Sequence, residues 1–495
     1  MLTESEIYNL IQEDLTSTRK RSASIGHKYY EGRHDILDYK LYYYNADGKL
    51  VEDTTRSNIK ICHPFFTELV DQCVQYMLSG KESFVRSDIP ELQDELDIYF
   101  GDDFKSEFAD TLTDACAGGF GDMYAYKNIN DRLTFQYADA MGVVEVRAKD
   151  TDDHTEYVIY WYIDRIDKGT KKIKRIQVWD SKQTTYFVQV DEGKIKKDED
   201  EPLNPRPHIV YTKDNDDSLY YDGFGFIPFF RLDANRKLTS HLQPVKALID
   251  DYDLMACGLS NNLQDVSEAL YVVKGFQGDN LEEMIQNVKT KKHIGVEPDG
   301  DVDIKTVDLP HQARIQKLDI DEKNIYRFGM GFNSAQLGDG NVTNVVIKSR
   351  YALLDLKCNK LETKVRSFLK KLVKIALQEI NDINGTDYQS KDVYFEFDRE
   401  VMTNASDNAQ IEKTEAETQQ IRLTTILNAA ARLDNDTVLQ AICELFELDF
   451  EDVKASVEQN PVVDLNSASE ALANAPVEEP EKLHDNSAEG GGVIE

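Results

Sequence analysis

The chain has 495 residues, 41% of them hydrophobic, which is enough for about two to four domains with cores of their own. Its 91 acidic residues outnumber 57 Lys and Arg, and the resulting formal charge of −34 argues against a protein that binds nucleic acid by neutralising many phosphates. The six cysteines form no C-x-x-C pair, no secretory signal opens the sequence, and no apolar run is long enough for a membrane span. We therefore expect free thiols, a reducing compartment and no membrane insertion.

The first quarter of the chain is predicted to be largely helical. A helix is expected from a cap at Thr3 to Gly32, and a second in HPFFTELVDQCVQYMLSG. A third runs from about Glu91 to Gly118, with apolar residues at four-residue steps and a weak point at Gly101. These helices provide apolar faces for a shared core.

From Asp122 to Val190 the apolar period changes to two, which indicates strands. The stretch DMYAYKNINDRLTFQYA predicts a hairpin with its turn at residues 128–131. YVIYWYI and IQVWDSKQTTYFVQVDEGK predict successive antiparallel strands, and FGFIPFF returns the chain to the core. With the preceding helices, these strands indicate an α+β domain.

Long helices dominate the next part of the chain. LQPVKALIDDYDLMACGLSNNLQDV predicts a helix of about 40 Å with one apolar stripe that includes Leu263. Two strands around LEEMIQNV predict a small α/β insertion, and HQARIQKLDIDEKNIYRFGMGF predicts a returning helix with Ile315, Ile325 and Phe328 on a partial apolar face. Two helices with a compact module between them suggest a stalk with a tip.

A Gly- and Asn-rich turn, GDGNVTN, then leads into a helix predicted from Val345 to Asp382. Its apolar residues alternate steps of four and three, so they form a seam that needs a partner surface. A strand in VYFEFD, a polar helix from about Asn408 to Leu433 and an apolar helix in TVLQAICELFEL follow. The polar sequence after Pro461 is predicted to be disordered.

Motifs for small ligands are incomplete. The turn leads to Lys348 as a phosphate-binding loop would, but Ile347 stands where that loop needs glycine. The acidic triplet from Asp299 resembles a calcium loop, but Ile304 replaces the required glycine. No H-E-x-x-H, G-x-S-x-G or Cys/His pair with zinc spacing occurs. The sequence predicts no metal, no cofactor and no enzymatic activity, and a nucleotide-binding enzyme stays open as an alternative.

Two blocks carry a family resemblance: IPFFRLDANRKLTSHLQPVKALIDDYDLMACGLSNNLQDVSEALYVVKG, and NIYRFGMGF together with GDGNVTNVVIKSRYALLDLKCNKLE. With the order of segments over about residues 1–460, they closely resemble the portal proteins, or head-to-tail connectors, of tailed bacteriophages. The resemblance implies an α+β, ring-forming portal fold. Its parts would be a wing (1–238), a first stem helix (239–268), a small α/β clip (269–310), a second stem helix (311–333), a tunnel loop (334–344), a long helix with a wing strand (345–400), a helical crown (401–460) and a disordered acidic tail (461–495).

The resemblance also implies a function. Copies of the chain would form a ring, expected to be a dodecamer, at the unique capsid vertex, where double-stranded DNA passes during packaging and ejection. The implied partners are the terminase large subunit, a head-completion adaptor, and the major capsid and scaffolding proteins, with no membrane involved. The protein would belong to the virion and assemble in the host cytoplasm. Another helical virion scaffold protein stays open, although such a protein has no need of a module between paired helices.

Individual site residues follow from the same resemblance. Gly338 and Gly340 permit the positive backbone torsions of a loop that moves as DNA passes. Lys348 is expected to make a transient phosphate contact. The DNA-facing residues would be Gln336, Leu337, Gly338, Asp339, Gly340, Asn341, Val342, Thr343, Asn344 and Lys348. The clip would bind partners through Lys274, Lys289, Lys291 and Lys292. A basic stripe on the long helix is expected to compensate acidic neighbouring subunits: Lys357, Lys360, Lys364, Lys370, Lys371 and Lys374.

Overall fold

The computed structural model describes residues 2–54, 56–80, 83–128, 130–148, 154–164, 172–213, 216–265, 270–276, 296–305, 311–333, 344–399, 405–430, 432–446 and 448–459. The chain divides into two units, one of residues 1–340 and 348–401, the other of residues 341–347 and 402–495. The helices up to residue 401 are α1 (Glu4–Thr16), α2 (Thr18–Tyr30), α3 (Phe65–Met77), α4 (Pro90–Phe100), α5 (Asp102–Gly118), α6 (Lys246–Asp265), α7 (His311–Gly329) and α8 (Asn344–Asn384).

The strands belong to the first unit, and every described pairing is antiparallel. They are β1 (Tyr42–Tyr44), β2 (Leu50–Glu52), β3 (Val85–Arg86), β4 (Phe120–Lys127), β5 (Leu133–Ala138), β6 (Val143–Arg147), β7 (Thr155–Asp164), β8 (Ile173–Trp179), β9 (Gln183–Val190), β10 (Lys196–Lys197), β11 (Arg206–Pro207), β12 (Ile209–Lys213), β13 (Asp216–Asp222), β14 (Phe229–Asp233), β15 (Leu270–Phe276), β16 (Val296–Lys305) and β17 (Tyr394–Phe395).

The N-terminal helix predicted from Thr3 to Gly32 is two helices. Thr3 starts α1 with a capping box, because its Oγ1 accepts from the Glu6 N–H at 3.3 Å while the Glu6 carboxylate accepts from the Thr3 N–H at 2.8 Å. The backbone then becomes extended at Ser17, whose Oγ accepts a hydrogen bond from the N–H of Lys20 and caps α2. One serine therefore ends the first helix and starts the second, which apolar periodicity does not reveal.

The predicted helix from Glu91 to Gly118 is also divided, at the glycine that the sequence marks as its weak point. Gly101 takes an extended conformation between α4 and α5. The aromatic residues on either side still share one core: the Phe100 ring packs edge-on against Phe104, and Phe108 stacks on Phe368 of α8 with 6.0 Å between ring centroids. The chain bends here without dividing the core.

The sheets confirm the predicted strand pairs. β4 and β5 form the expected hairpin, and β14 pairs with the other edge of β4. The strands β10-β9-β8-β7-β6 lie side by side in that order, with β11 also pairing with β9. Helix α1 covers this larger sheet, because Ile7 and Ile11 pack with Ile159, Ile176 and other buried apolar residues of its strands.

Helix α8 confirms the predicted long helix and its apolar seam. It spans 41 residues, and the central seam residues are buried in the largest core of the chain: Leu354, Cys358, Leu361, Val365, Phe368 and Leu372. Burying one such side chain contributes about 1.5–3 kcal/mol. The partner surface that the seam requires is therefore provided by the same chain.

The second unit is helical where it is described. It contains α9 (Ala405–Ala430), α10 (Asn435–Phe446) and α11 (Phe450–Gln459), of which the first two correspond to the predicted polar and apolar helices. Helix α10 contacts both others and buries Val438 and Cys443. Lys454 of α11 donates to Asp436 of α10 at 2.6 Å. The tail predicted at 461–495 lies outside the described residues.

Candidate functional site

The base of α6 is fixed to the body of the first unit by a buried carboxylate. Asp253 is fully buried and accepts hydrogen bonds from Nδ1 of His34 at 2.6 Å and from Nδ1 of His63 at 2.7 Å. The backbone N–H of His63 donates to the same carboxylate at 3.0 Å. Burial alone would raise the pKa of Asp253, but these donors hold it below its ordinary value. These hydrogen bonds therefore fix the N-terminal half of α6 to the segment that carries His34 and His63.

A second polar group holds the first turn of α6. The ammonium of Lys246 donates to Tyr29 Oη at 2.9 Å, to Asp35 Oδ2 at 2.7 Å and to Asp250 Oδ2 at 2.8 Å. Tyr29 in turn donates to Asp250. Because Tyr29 is at the end of α2, this group ties α6 to the N-terminal helices.

Helices α6 and α7 pack against each other as an antiparallel pair. Lys317 of α7 donates to Asp251 of α6 at 2.5 Å, while the backbone of Gly258, farther along α6, approaches Arg314, which is earlier on α7. The antiparallel hairpin of β15 and β16 lies between these helices in the sequence. The two predicted helices and the two predicted strands between them are therefore observed in the expected order, while the short helix predicted in LEEMIQNV lies outside the described residues.

The two flanks of residues 334–343 are held by the core of the first unit. The Gln72 amide of α3 accepts from the N–H of Phe332 at 2.9 Å and donates to the Phe332 carbonyl at 2.8 Å. The Phe332 ring stacks on Tyr351 of α8, with 4.4 Å between ring centroids. A Cβ on Gly331 would lie 2.2 Å from Cδ2 of Leu69, so any larger residue here would displace that side chain. The chain enters and leaves the segment at anchored positions.

The DNA-facing residues expected from the sequence are placed only in part. Asn344 is the first residue of α8, and Lys348 is exposed on its second turn with no ion-pair partner among the described residues. Lys274 is exposed on β15, opposite Asp301 of β16. The other predicted residues lie outside the described part of the chain: Gln336, Leu337, Gly338, Asp339, Gly340, Asn341, Val342, Thr343, Lys289, Lys291 and Lys292.

One member of the basic stripe predicted on α8 lies elsewhere than expected. Lys357 is buried, and its ammonium donates to the carbonyl oxygens of Leu69 at 3.3 Å and Gly329 at 3.1 Å. Lys357 lies on the buried face of the helix, next to Cys358. Helical periodicity alone did not distinguish its position from those of the exposed lysines. Four other lysines are exposed and form no ion pair within the described ranges: Lys360, Lys370, Lys371 and Lys374.

Large apolar side chains remain exposed along the three long helices. The sequence assigned Ile315 and Phe328 to an apolar face, yet each is 51% exposed in the chain, and only Ile325 of that face is fully buried. The same holds for Leu263, which belongs to the predicted stripe of α6. The exposed residues on these helices are Leu254, Leu263, Ile315, Ile320, Phe328, Val346, Leu353, Leu356 and Ile383. These apolar side chains are therefore available for contact with another molecule.

Potential metal ligands converge at one place in the core, although the sequence predicts no metal site. The ligand atoms of Cys73, Cys116 and His241 all lie within 4.8 Å of one another, and Cys358 Sγ is 3.7 Å from Cys73 Sγ. No two of these residues are close in sequence, so spacing gave no signal for them. Among the described residues no helix combines the length and apolar character needed to cross a membrane.

The sequence model for the family described as phage portal protein, SPP1 Gp6-like, matches residues 13–454. The chain belongs to this portal protein family. It is 24% identical over 388 residues to the portal protein of Bacillus phage SPP1, covering 78% of this chain and 75% of that one. It is 26% identical over 420 residues to the portal protein of Clostridium phage phiCD119, covering 77% of this chain and 85% of that one.

Membership confirms the resemblance seen in the sequence. Portal proteins are structural, non-enzymatic components of the phage virion and connect head to tail. The mixture of helices and antiparallel sheets agrees with the α+β class of the portal family.

Proposed function

We propose that copies of this chain close into a ring at the unique capsid vertex, with the axis of the ring as the passage for double-stranded DNA during packaging and ejection. The observation that carries this proposal is the set of exposed apolar residues on α6, α7 and α8. A ring gives each subunit two different neighbour surfaces, so such residues are covered without any change in the monomer fold. Each covered side chain contributes up to about 1.5–3 kcal/mol.

Charge supports the same arrangement. Chains with a formal charge of −34 repel one another, so ring closure needs local compensation. The exposed lysines Lys360, Lys370, Lys371 and Lys374 provide it when they face acidic residues of an adjacent subunit. Because Lys357 is buried in its own chain, it takes no part in this role.

The passage itself is formed by the α7–α8 connection. Residues 334–344 act as the tunnel loop, and Lys348 makes a transient phosphate contact at its edge. The flanks of the loop are anchored by Gln72 and by the stacked Phe332 and Tyr351, so a passing duplex moves the loop without loosening the helices. An otherwise acidic wall limits the phosphate ion pairs that would retard DNA.

The β15–β16 hairpin and its surroundings form the clip that docks the terminase large subunit and later the head-completion adaptor, with Lys274 on its exposed surface. The outer parts of the ring meet the major capsid and scaffolding proteins. The chain contributes no catalysis of its own, since terminase supplies the hydrolysis that drives DNA. The ring assembles in the host cytoplasm and stays in the virion as a dodecamer.

The mass of the purified full-length protein tests this proposal. Native mass spectrometry is expected to give an integral multiple of the 56.6 kDa chain mass, with twelve as the expected number, and negative-stain images should show an annulus. The proposal is wrong if the protein stays monomeric at micromolar concentration in the presence of its own capsid and scaffolding proteins.

A further inference from the structure

Four metal-ligating side chains meet where three helices and one connecting segment cross. Cys73 is on α3, Cys116 on α5, Cys358 on α8, and His241 lies in the segment before α6. All three thiols are completely buried. Structural zinc sites with three cysteines and one histidine use the same set of donors.

The distances suit tetrahedral coordination. Zinc binds sulfur at about 2.3 Å, so two sulfurs of one tetrahedral site lie about 3.8 Å apart. Cys73 Sγ and Cys358 Sγ are separated by 3.7 Å, and the ligand atoms of Cys73, Cys116 and His241 fall within 4.8 Å of one another. Cys358 is not a member of that group of three and approaches it through Cys73, so its thiol must move toward the other three ligand atoms to take the fourth position.

His241 gives an independent reason to expect a ligand. Its Nδ1 is buried and has no hydrogen-bond partner within the described residues. The backbone N–H of His241 donates to the carbonyl of Cys116 at 3.0 Å, which fixes the imidazole beside that thiol. An unpaired buried polar atom is costly unless something binds it.

We propose that Cys73, Cys116, Cys358 and His241 bind one zinc ion that ties α3, α5 and α8 to the root of α6. Binding forms three zinc–sulfur bonds and one zinc–nitrogen bond, and the thiol protons leave to solvent. Three thiolates and a divalent ion carry a net charge of −1. The ammonium of Lys357, which otherwise meets only carbonyl oxygens, lies close enough to balance that charge.

A pocket of 450 Å³ connects this cluster to the surface, since His241 and Lys357 are among its lining residues. Arg236, Lys237 and Lys360 also line the pocket, so a hydrated cation is repelled at its mouth. The metal therefore enters while the chain folds, before the helices close around it.

Elemental analysis of the full-length protein tests the proposal. Protein expressed with zinc and purified with a phosphine reductant but no chelator should contain about one zinc per chain. Expression in cobalt medium should give the visible bands of tetrahedral cobalt and a thiolate-to-cobalt charge-transfer band. Since wild-type protein is used, this measurement does not depend on whether a variant folds.

Variants then assign the ligands. Cys73→Ser and Cys116→Ser should each lose most of the metal and the charge-transfer band, whereas Cys257→Ser, a buried cysteine of the same unit that bonds only to Ile61, should keep both. Wild-type protein without bound metal and without a thiolate–cobalt band would overturn the proposal. Full metal content in Cys73→Ser, or an equal loss in Cys257→Ser, would also overturn it.

Discussion

Two apolar surfaces on the long helices differ in burial: one is covered by the same chain and the other is exposed. The seam of α8 from Leu354 to Leu372 is buried in the core of the first unit, against residues of α3 and α5. On α6 and α7, residues such as Leu263, Ile315 and Phe328 point to solvent although they follow a similar helical spacing. The first surface stabilises the subunit, and we infer that the second is reserved for its neighbours.

The difference shows what apolar periodicity means in an assembling protein. An apolar stripe on a helix predicts that this face will be covered, because exposed apolar surface is unfavourable in water. The stripe does not indicate whether the residues that cover it belong to the same chain or to another copy. Substitutions in the two surfaces should therefore separate loss of folding from loss of assembly.

The largest effect is expected in the buried surface. Phe368→Ala removes a ring that is buried and stacked on Phe108, so we expect the free energy of unfolding to fall by about 3–5 kcal/mol. Leu356→Ala, at a position that is 59% exposed on the same helix, should change the free energy of unfolding of the separated subunit by less than about 0.5 kcal/mol. Equilibrium denaturant unfolding measures both, and equal losses would remove the distinction between the two surfaces.

Next in size is the effect of charge on the exposed surface. Ile315→Glu combined with Phe328→Glu should leave the circular dichroism spectrum and the melting temperature of the subunit unchanged but abolish ring formation, since buried unpaired carboxylates oppose the interface. Ile98→Glu, at a position 55% exposed on α4, is the matched control and should still form rings. Rings of normal abundance from the double variant would place the subunit interface elsewhere. Analytical ultracentrifugation distinguishes these outcomes.

A narrower effect is expected from a substitution in the proposed tunnel loop. Gly340→Pro fixes a backbone torsion where we propose that the chain must move, so rings should form normally while the amount of nuclease-protected DNA per particle falls strongly. Gly340→Ala retains more backbone freedom and should package more DNA than the proline variant. If Gly340→Pro particles are filled as well as wild-type particles, the moving loop has been placed wrongly.

The last prediction concerns how acid changes the free energy of unfolding through the buried His208. Burial between Trp179 and Phe224 lowers the pKa of His208 to about 4, whereas an unfolded histidine titrates near 6.5. Between these values the unfolded chain binds a proton that the folded chain does not, so stability falls as the pH drops from about 6.5 to 4.

His208→Phe keeps the aromatic contacts and removes this proton. Its free energy of unfolding should therefore decline less than that of wild type between pH 7 and pH 4. Denaturant unfolding at several pH values provides the comparison. Parallel curves for the two proteins would mean that His208 does not contribute to acid sensitivity.

Much of the fold could be predicted because its signals are local. The β4–β5 hairpin, the strands β7 to β9, and the helices α6, α7 and α8 were all expected near their observed positions. The division at Ser17 was missed, since a serine that caps one helix while ending another leaves the apolar pattern of both intact. The family was recognised through two sequence blocks, and membership of the portal protein family confirms that recognition, while the individual site residues stay predictions.

By itself, the sequence determined the family, the order of helices and strands, and the period of each apolar face, because these depend on neighbours a few residues apart. Only the tertiary structure decided which faces the chain covers, why Lys357 is buried while Lys360 is exposed, and that Cys73, Cys116, Cys358 and His241 meet. Those outcomes depend on packing between residues up to 288 positions apart. Helical period sets the direction of a side chain about its own axis, whereas the identity of what it touches is set by how whole elements pack.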